Sequence, residues 1–115
     1  MAIVTLLTDS GEQDHYVAAI KAKILSTNPS IKIVDISHRI VPCDIAQGAF
    51  VLKSVFRDFP KGTIHVVAID SVSKRDTSSI AMQLEDYFFV GADNGLFGLI
   101  TDKPHQQIAE LNTIN

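Results

Sequence analysis

Residues 3–14 read Ile3-Val4-Thr5-Leu6-Leu7-Thr8-Asp9-Ser10-Gly11-Glu12-Gln13-Asp14, an apolar run that stops in an aspartate and passes through a polar turn. Three further runs end the same way: Ile31 to Val34 at Asp35, Thr63 to Ile69 at Asp70, and Tyr87 to Val90 followed by Asp93. In an open parallel sheet, ligands bind in the crevice beyond the carboxyl ends of the strands. Acidic side chains at those ends are therefore expected to converge on one small-molecule pocket.

Working outward from that stretch, Val17, Ile20 and Ile24 share one helical face. Asn28-Pro29 stops the helix, because the residue before a proline is pushed out of the α region. The β-branched run Ile31 to Val34 follows as a second strand. Asp44 is a good N-cap for a second helix whose stripe is Ile45, Ala49, Leu52 and Phe56, ended by Pro60-Lys61-Gly62. Thr63 to Ile69 reads as a strand buried on both faces and central in the sheet. Ser71 to Ser79 lacks apolar periodicity and is expected to form a loop on the rim of the pocket. Ile80 to Leu84 and Tyr87 to Val90 flank Glu85-Asp86 as a hairpin. Gly91 to Gly95 is a turn, Leu96 to Ile100 a short apolar run, and Ile108 to Leu111 one more strand. The alternation predicts an α/β fold over residues 1–115: a mainly parallel sheet flanked by helices, three-layered, with a C-terminal hairpin.

Composition narrows the function. A chain of 115 residues with 46% hydrophobic and 20% charged residues is expected to form one globular domain. Its net charge of −3, with no basic stripe, argues against a nucleic-acid partner. No apolar stretch approaches the ~18 residues that span a bilayer, and the N-terminus lacks a signal-peptide pattern, so no membrane partner and a cytoplasmic location are expected. The single cysteine, Cys43, reads as a small packing residue. His15, His38, His65 and His105 show neither i, i+4 pairing nor cysteine neighbours, so no metal site is expected. His65 lies in a core strand and His38 follows one, and both read as structural. One glycine in the first turn and no lysine in Walker spacing weigh against a nucleotide triphosphate or dinucleotide. There is no G-x-S-x-G nucleophile elbow.

Asp9 and Asp14 then stand out around the first helix start. A carboxylate accepts two hydroxyl hydrogens at once and suits the vicinal diol of a ribose. Asp14 serves equally well as a helix cap, and Asp9 as a turn-closing acceptor.

At these residues the segment order becomes familiar. Thr8-Asp9-x-Gly11 with Asp14-x-Tyr16-Val17, Ile24-Leu25-Ser26-x-Asn28-Pro29, and Ile33-Val34-Asp35-Ile36-Ser37-His38 resemble the S-adenosylmethionine hydroxide adenosyltransferases, relatives of the fluorinating and chlorinating enzymes. So do Pro42-x-Asp44-Ile45, Phe59-Pro60-x-Gly62-Thr63-Ile64-His65 and Val90-Gly91-x-Asp93-Asn94-Gly95-Leu96, in family order from residue 3 to about residue 100. The resemblance implies hydrolysis of S-adenosylmethionine to adenosine and methionine by water attack at ribose C5′, with no cofactor. It further implies Asp70 and Arg75 as catalytic residues, Asp9, Asp14 and Asn94 as substrate-binding residues, and a homo-oligomer, a trimer in the family. The other reading is a non-catalytic module that binds S-adenosylmethionine or adenosine.

The departures are specific. The family follows its strand-end aspartate with a Pro-Gly-Val-Gly turn before the arginine, whereas Asp70 precedes Ser71-Val72-Ser73-Lys74-Arg75. Without gaps the arginine position falls on Thr77. Ser10 replaces a more usual apolar or aromatic residue, and Cys43 an aromatic that packs on adenine in some relatives. Nothing after Asn94 matches the family histidine, His105 included, and the family's second, β-rich domain is lacking. The chain is expected to be a fragment, a truncated product or a shortened homologue.

Overall fold

The computed structural model describes residues 2–12, 15–69, 79–101 and 107–111. Among them, β1 (Ile3–Thr8), α1 (Tyr16–Thr27), β2 (Lys32–Ser37), α2 (Ile45–Val55), β3 (Ile64–Ala68), β4 (Ser79–Leu84), β5 (Tyr87–Ala92) and β6 (Gln107–Leu111) follow in chain order. The strands form one sheet ordered β2-β1-β3-β5-β4-β6. The neighbours β2, β1, β3 and β5 are parallel, while β4 runs antiparallel to both β5 and β6. The expected α/β fold, with its mainly parallel sheet and C-terminal hairpin, is the observed one.

From β1 the chain moves to one side to form β2, then returns past β1 to form β3. That reversal sends the two helices to opposite faces, because right-handed crossovers on the two sides of β1 allow nothing else. The contacts agree. Leu6 and Asp35 are register partners on one face, and Asp35 is bonded to Lys21 of α1. Leu7 and Val67 are register partners on the other, where they pack with Leu52 of α2 and with Phe56, which follows it.

The helices do unequal work. Asp44 caps α2 through a 2.9 Å bond from the Gln47 amide, and the helix buries Gly48, Ala49 and Leu52. Phe56 lies just beyond, in a short 3₁₀ turn, its ring met edge-on by His65, Tyr87 and Phe89. By contrast, α1 starts at His15 without a side-chain cap and has no fully buried residue. Its expected inward face, Val17, Ile20 and Ile24, is only half-buried. The α1 side of the sheet stays partly open beyond β3: Ala81, Gln83, Phe88 and Ala109 border a shallow trough of about 190 Å³. Among the described residues, no helix is long and apolar enough to cross a membrane.

Two expectations about β2 and β3 need correction. Val34 does not end the second strand: β2 runs on to Ser37, so Asp35 lies inside it. The reason is pairing, since Val34, Asp35 and Ser37 all find partners on β1, with Ile36 as the extra residue of a bulge opposite Leu6 and Leu7. Nor is the central strand equally buried on both faces: His65 and Val67 are buried, while Ile64 and Val66 on the α1 side are half-buried.

Candidate functional site

The point where the chain reverses lies between β1 and β3, at their carboxyl ends. In an open α/β sheet, ligands bind beyond the carboxyl ends of the strands at such a reversal. Asp9 stands at its edge. The Asp9 amide reaches the Ala68 carbonyl at 3.4 Å, tying the exit of β1 to that of β3. Its carboxylate Oδ2 accepts the Cys43 N–H at 2.9 Å. Cys43 can aim its amide this way because it sits in the left-handed region, at φ 63°. Cys43 is thus more than the packing residue expected of it: its backbone positions the carboxylate.

The turn after β1 is held from a second direction. Thr8 Oγ1 lies 2.8 Å from His38 Nδ1, and His38 Nε2 lies 2.8 Å from Asp35 Oδ1. Asp35 Oδ2 in turn accepts from Lys21 Nζ at 2.7 Å. Thr8 is wholly buried and His38 nearly so. An ionised carboxylate can only accept, so Nε2 of His38 carries a proton, and in the neutral ring Nδ1 accepts from the Thr8 hydroxyl. Thr8 Oγ1 then accepts from the Ser10 N–H at 3.4 Å and the Ser10 hydroxyl at 3.1 Å. The Gly11 amide donates to the His38 carbonyl at 2.8 Å, and Gly11 takes the positive φ of 75° that lets the turn close. Burial pushes the Asp35 carboxyl up, but the hydrogen bonds from Lys21 and His38, together with the Lys21 charge, outweigh it and hold Asp35 below its ordinary value.

Of the four strand-end aspartates, the described residues bring one to the crevice. Asp35 is drawn into the His38 and Lys21 network along β2, and Asp93 is exposed on the turn after β5. Asp70, Arg75 and Asp14 lie outside the described residues, as does the rim loop expected at Ser71 to Ser79 except for its last residue, which opens β4. Asn94 does reach the exit of β3. Its Nδ2 donates to the Ile69 carbonyl at 2.9 Å and its Oδ1 accepts from the Leu96 amide at 3.2 Å, so the turn after β5 is pinned to the residue that precedes Asp70. The residues that sequence reasoning undervalued are Thr8 and His38. The available signal was Thr8 sitting next to Asp9 at a strand end, but their pairing joins segments 30 residues apart.

Among the described residues, no group of three histidine, cysteine, aspartate or glutamate side chains is placed to hold a metal ion. A cleft of about 310 Å³, lined by Glu12, Val17, Ala18, Lys21, Asp35 and His38, lies behind the network on the α1 side. Its polar walls are largely engaged with one another, through Lys21–Asp35 and His38–Asp35.

An open sheet whose strand order reverses between β1 and β3, with a carboxylate on the first turn, places the chain among the doubly wound α/β proteins. Residues 4–115 match the family model of the SAM hydroxide adenosyltransferase N-terminal domain, and the chain belongs to that family. It is 41% identical over 88% of its length to a protein of Methanocaldococcus jannaschii named (R)-S-adenosyl-L-methionine hydrolase, and 32% identical over 92% to one of the same name from Thermus thermophilus. A fluorinase of an Actinoplanes species is 31% identical over 72% of the chain. The chain spans 40% and 42% of the two hydrolases and 28% of the fluorinase. A solved structure of a conserved protein from Thermotoga maritima superposes with a TM-score of 0.88 at 32% identity, covering 95% of this chain and 42% of that one.

Proposed function

We propose that this chain binds S-adenosylmethionine and takes part in its hydrolysis to adenosine and L-methionine. The observation that carries the reading is Asp9, a carboxylate at the sheet reversal whose orientation is set by the Cys43 amide. A carboxylate so placed suits the two ribose hydroxyls, as paired acceptors suit a vicinal diol. The relatives named as hydrolases support the reaction type.

Water attacks C5′, the C5′–sulfur bond breaks with its electron pair going to sulfur, and methionine leaves as a neutral thioether. The leaving group needs no acid, and one proton is released from the attacking water. Catalysis then consists mainly of orienting that water and accepting its proton. Asp70, which follows Ile69, the residue pinned by Asn94, is proposed for this role, with Arg75 as a second catalytic residue and Asp14 as a further contact to the ribose.

The test incubates the purified chain with S-adenosylmethionine and quantifies both products, with Asp70→Ala as control. Equimolar adenosine and methionine are expected, falling about 10²- to 10⁴-fold in the variant if Asp70 is the general base. No release above the variant, with adenosine still bound, would replace hydrolysis by the binding-module reading. The altered turn Ser71 to Arg75 favours that alternative.

A further inference from the structure

We propose that His38 is a positioning residue for the ribose site: it holds Thr8, and through Thr8 fixes the turn that aims the Asp9 carboxylate. This rests on Asp9 binding ribose, as proposed above. His38 is 3% exposed and Thr8 0%, so neither can touch a substrate in the crevice. Their hydrogen bonds nevertheless run in one direction toward it. Lys21 fixes Asp35, Asp35 fixes the imidazole with its proton on Nε2, Nδ1 takes the Thr8 proton, and the Thr8 oxygen is left to accept from the Ser10 amide and hydroxyl. His38 also grips the far side of the same turn with its carbonyl, through the Gly11 amide. Asp9 is therefore clamped between two residues, Thr8 and Ser10, whose positions His38 sets. A core histidine that served packing alone would not need its tautomer set by a carboxylate–lysine pair. His65 in this same chain is buried without one: its Nδ1 meets Thr5 at 2.7 Å and no carboxylate bonds its Nε2.

The experiment uses the full chain as wild type, Thr8→Val, Thr8→Ser and His38→Leu. Valine keeps the shape of threonine and removes the hydroxyl, while serine keeps the hydroxyl. The first readout needs no ligand: hydrogen exchange of the Cys43 amide, which donates to Asp9, against that of Val67 in the central strand. Thr8→Val and His38→Leu are expected to accelerate Cys43 exchange by about tenfold or more, the loss of one hydrogen bond to a charged acceptor, with Val67 unchanged and Thr8→Ser close to wild type. The second readout is the ratio of affinities for adenosine and 2′,3′-dideoxyadenosine, by calorimetry. That ratio is expected to collapse in Thr8→Val and survive in Thr8→Ser. Cys43 exchange unchanged in Thr8→Val overturns the proposal, and so does acceleration of Val67 to the same degree, which would mark Thr8 as serving the fold alone. A wild-type protein that does not prefer adenosine would defeat the ribose role of Asp9 on its own, and the Cys43 exchange would still decide whether His38 positions the turn.

Discussion

His65 and His38 both set Nδ1 against a threonine hydroxyl of β1, yet differ in what faces Nε2. At His65 burial among Phe56, Phe59, Tyr87 and Phe89 disfavours the charged ring and pushes its pKa to about 4, against a smaller opposing pull from the Phe56 backbone. The ordinary value is 6.5, so between these two values the unfolded chain binds more protons than the folded one. Stability is then complete above pH 6.5, falls as the pH drops through this window, and levels off near pH 4. The full loss from this one group is roughly 3 kcal/mol. Urea titrations across a pH series are expected to show that slope in the wild type and not in Thr5→Val/His65→Leu, which removes the imidazole and its partner together. Equal slopes in both proteins would assign the acid sensitivity elsewhere. In the sequence His65 was legible as a core residue from its strand pattern. Its partner was not, because Thr5 and His65 meet only through the register of β1 on β3.

At the scale of elements, helix periods and caps were readable because both are local. The second helix was predicted from Asp44 and from the stripe Ile45, Ala49, Leu52 and Phe56; the cap bond forms and Ala49 and Leu52 are buried, while Ile45 is half-buried and Phe56 falls in the 3₁₀ turn after the helix ends at Val55. The first helix has the same period, but period says only that one side can be apolar and not how much partner surface awaits it. Here α1 is bonded to β2 through Lys21 and Asp35, and none of its residues is fully buried. Strand contacts are less legible still. Gly91 in β5 reads as a turn glycine from the Gly91 to Gly95 cluster, yet it is a strand residue paired with Val67 and Ile80. A methyl group there would meet the Val67 carbonyl oxygen at 2.7 Å and the Phe97 ring at 3.1 Å. The carbonyl belongs to the neighbouring strand's backbone and cannot rotate away. Gly91→Ala is expected to lower unfolding free energy by about 1–3 kcal/mol, the usual scale of overpacking, as measured by denaturant titration. An unchanged midpoint would mean that β3 and β5 part at little cost.

For the whole molecule, one apolar cluster joins both halves of the sheet. Leu7 and Val67 from the parallel strands, Leu52 and Phe56 from the helical segment, and Met82, Leu84 and Phe89 from the hairpin belong to it. Phe56 is wholly buried at its centre, and Phe56→Ala should cost about 3–5 kcal/mol in equilibrium unfolding, the sum of lost transfer energy and an unfilled cavity. A cost below about 1 kcal/mol would mean that the hairpin and the parallel strands are held together by something other than this cluster. The opposite face of the hairpin carries Phe88 at 42% exposure and has no helix over it among the described residues. By itself, the sequence determined the α/β class, the order and type of the elements, the family, and Asp9 as a strand-end carboxylate, because these depend on spacing, turn residues and motif order within short segments. Tertiary structure alone decided which of the described acids stands at the β1/β3 reversal. Asp9 and Asp35 both follow apolar runs, but a bulge and the pairing of β2 with β1 keep Asp35 within the strand and bind it to Lys21 and His38. Strand order and register are sums over many weak, long-range contacts, and no local pattern encodes such a sum.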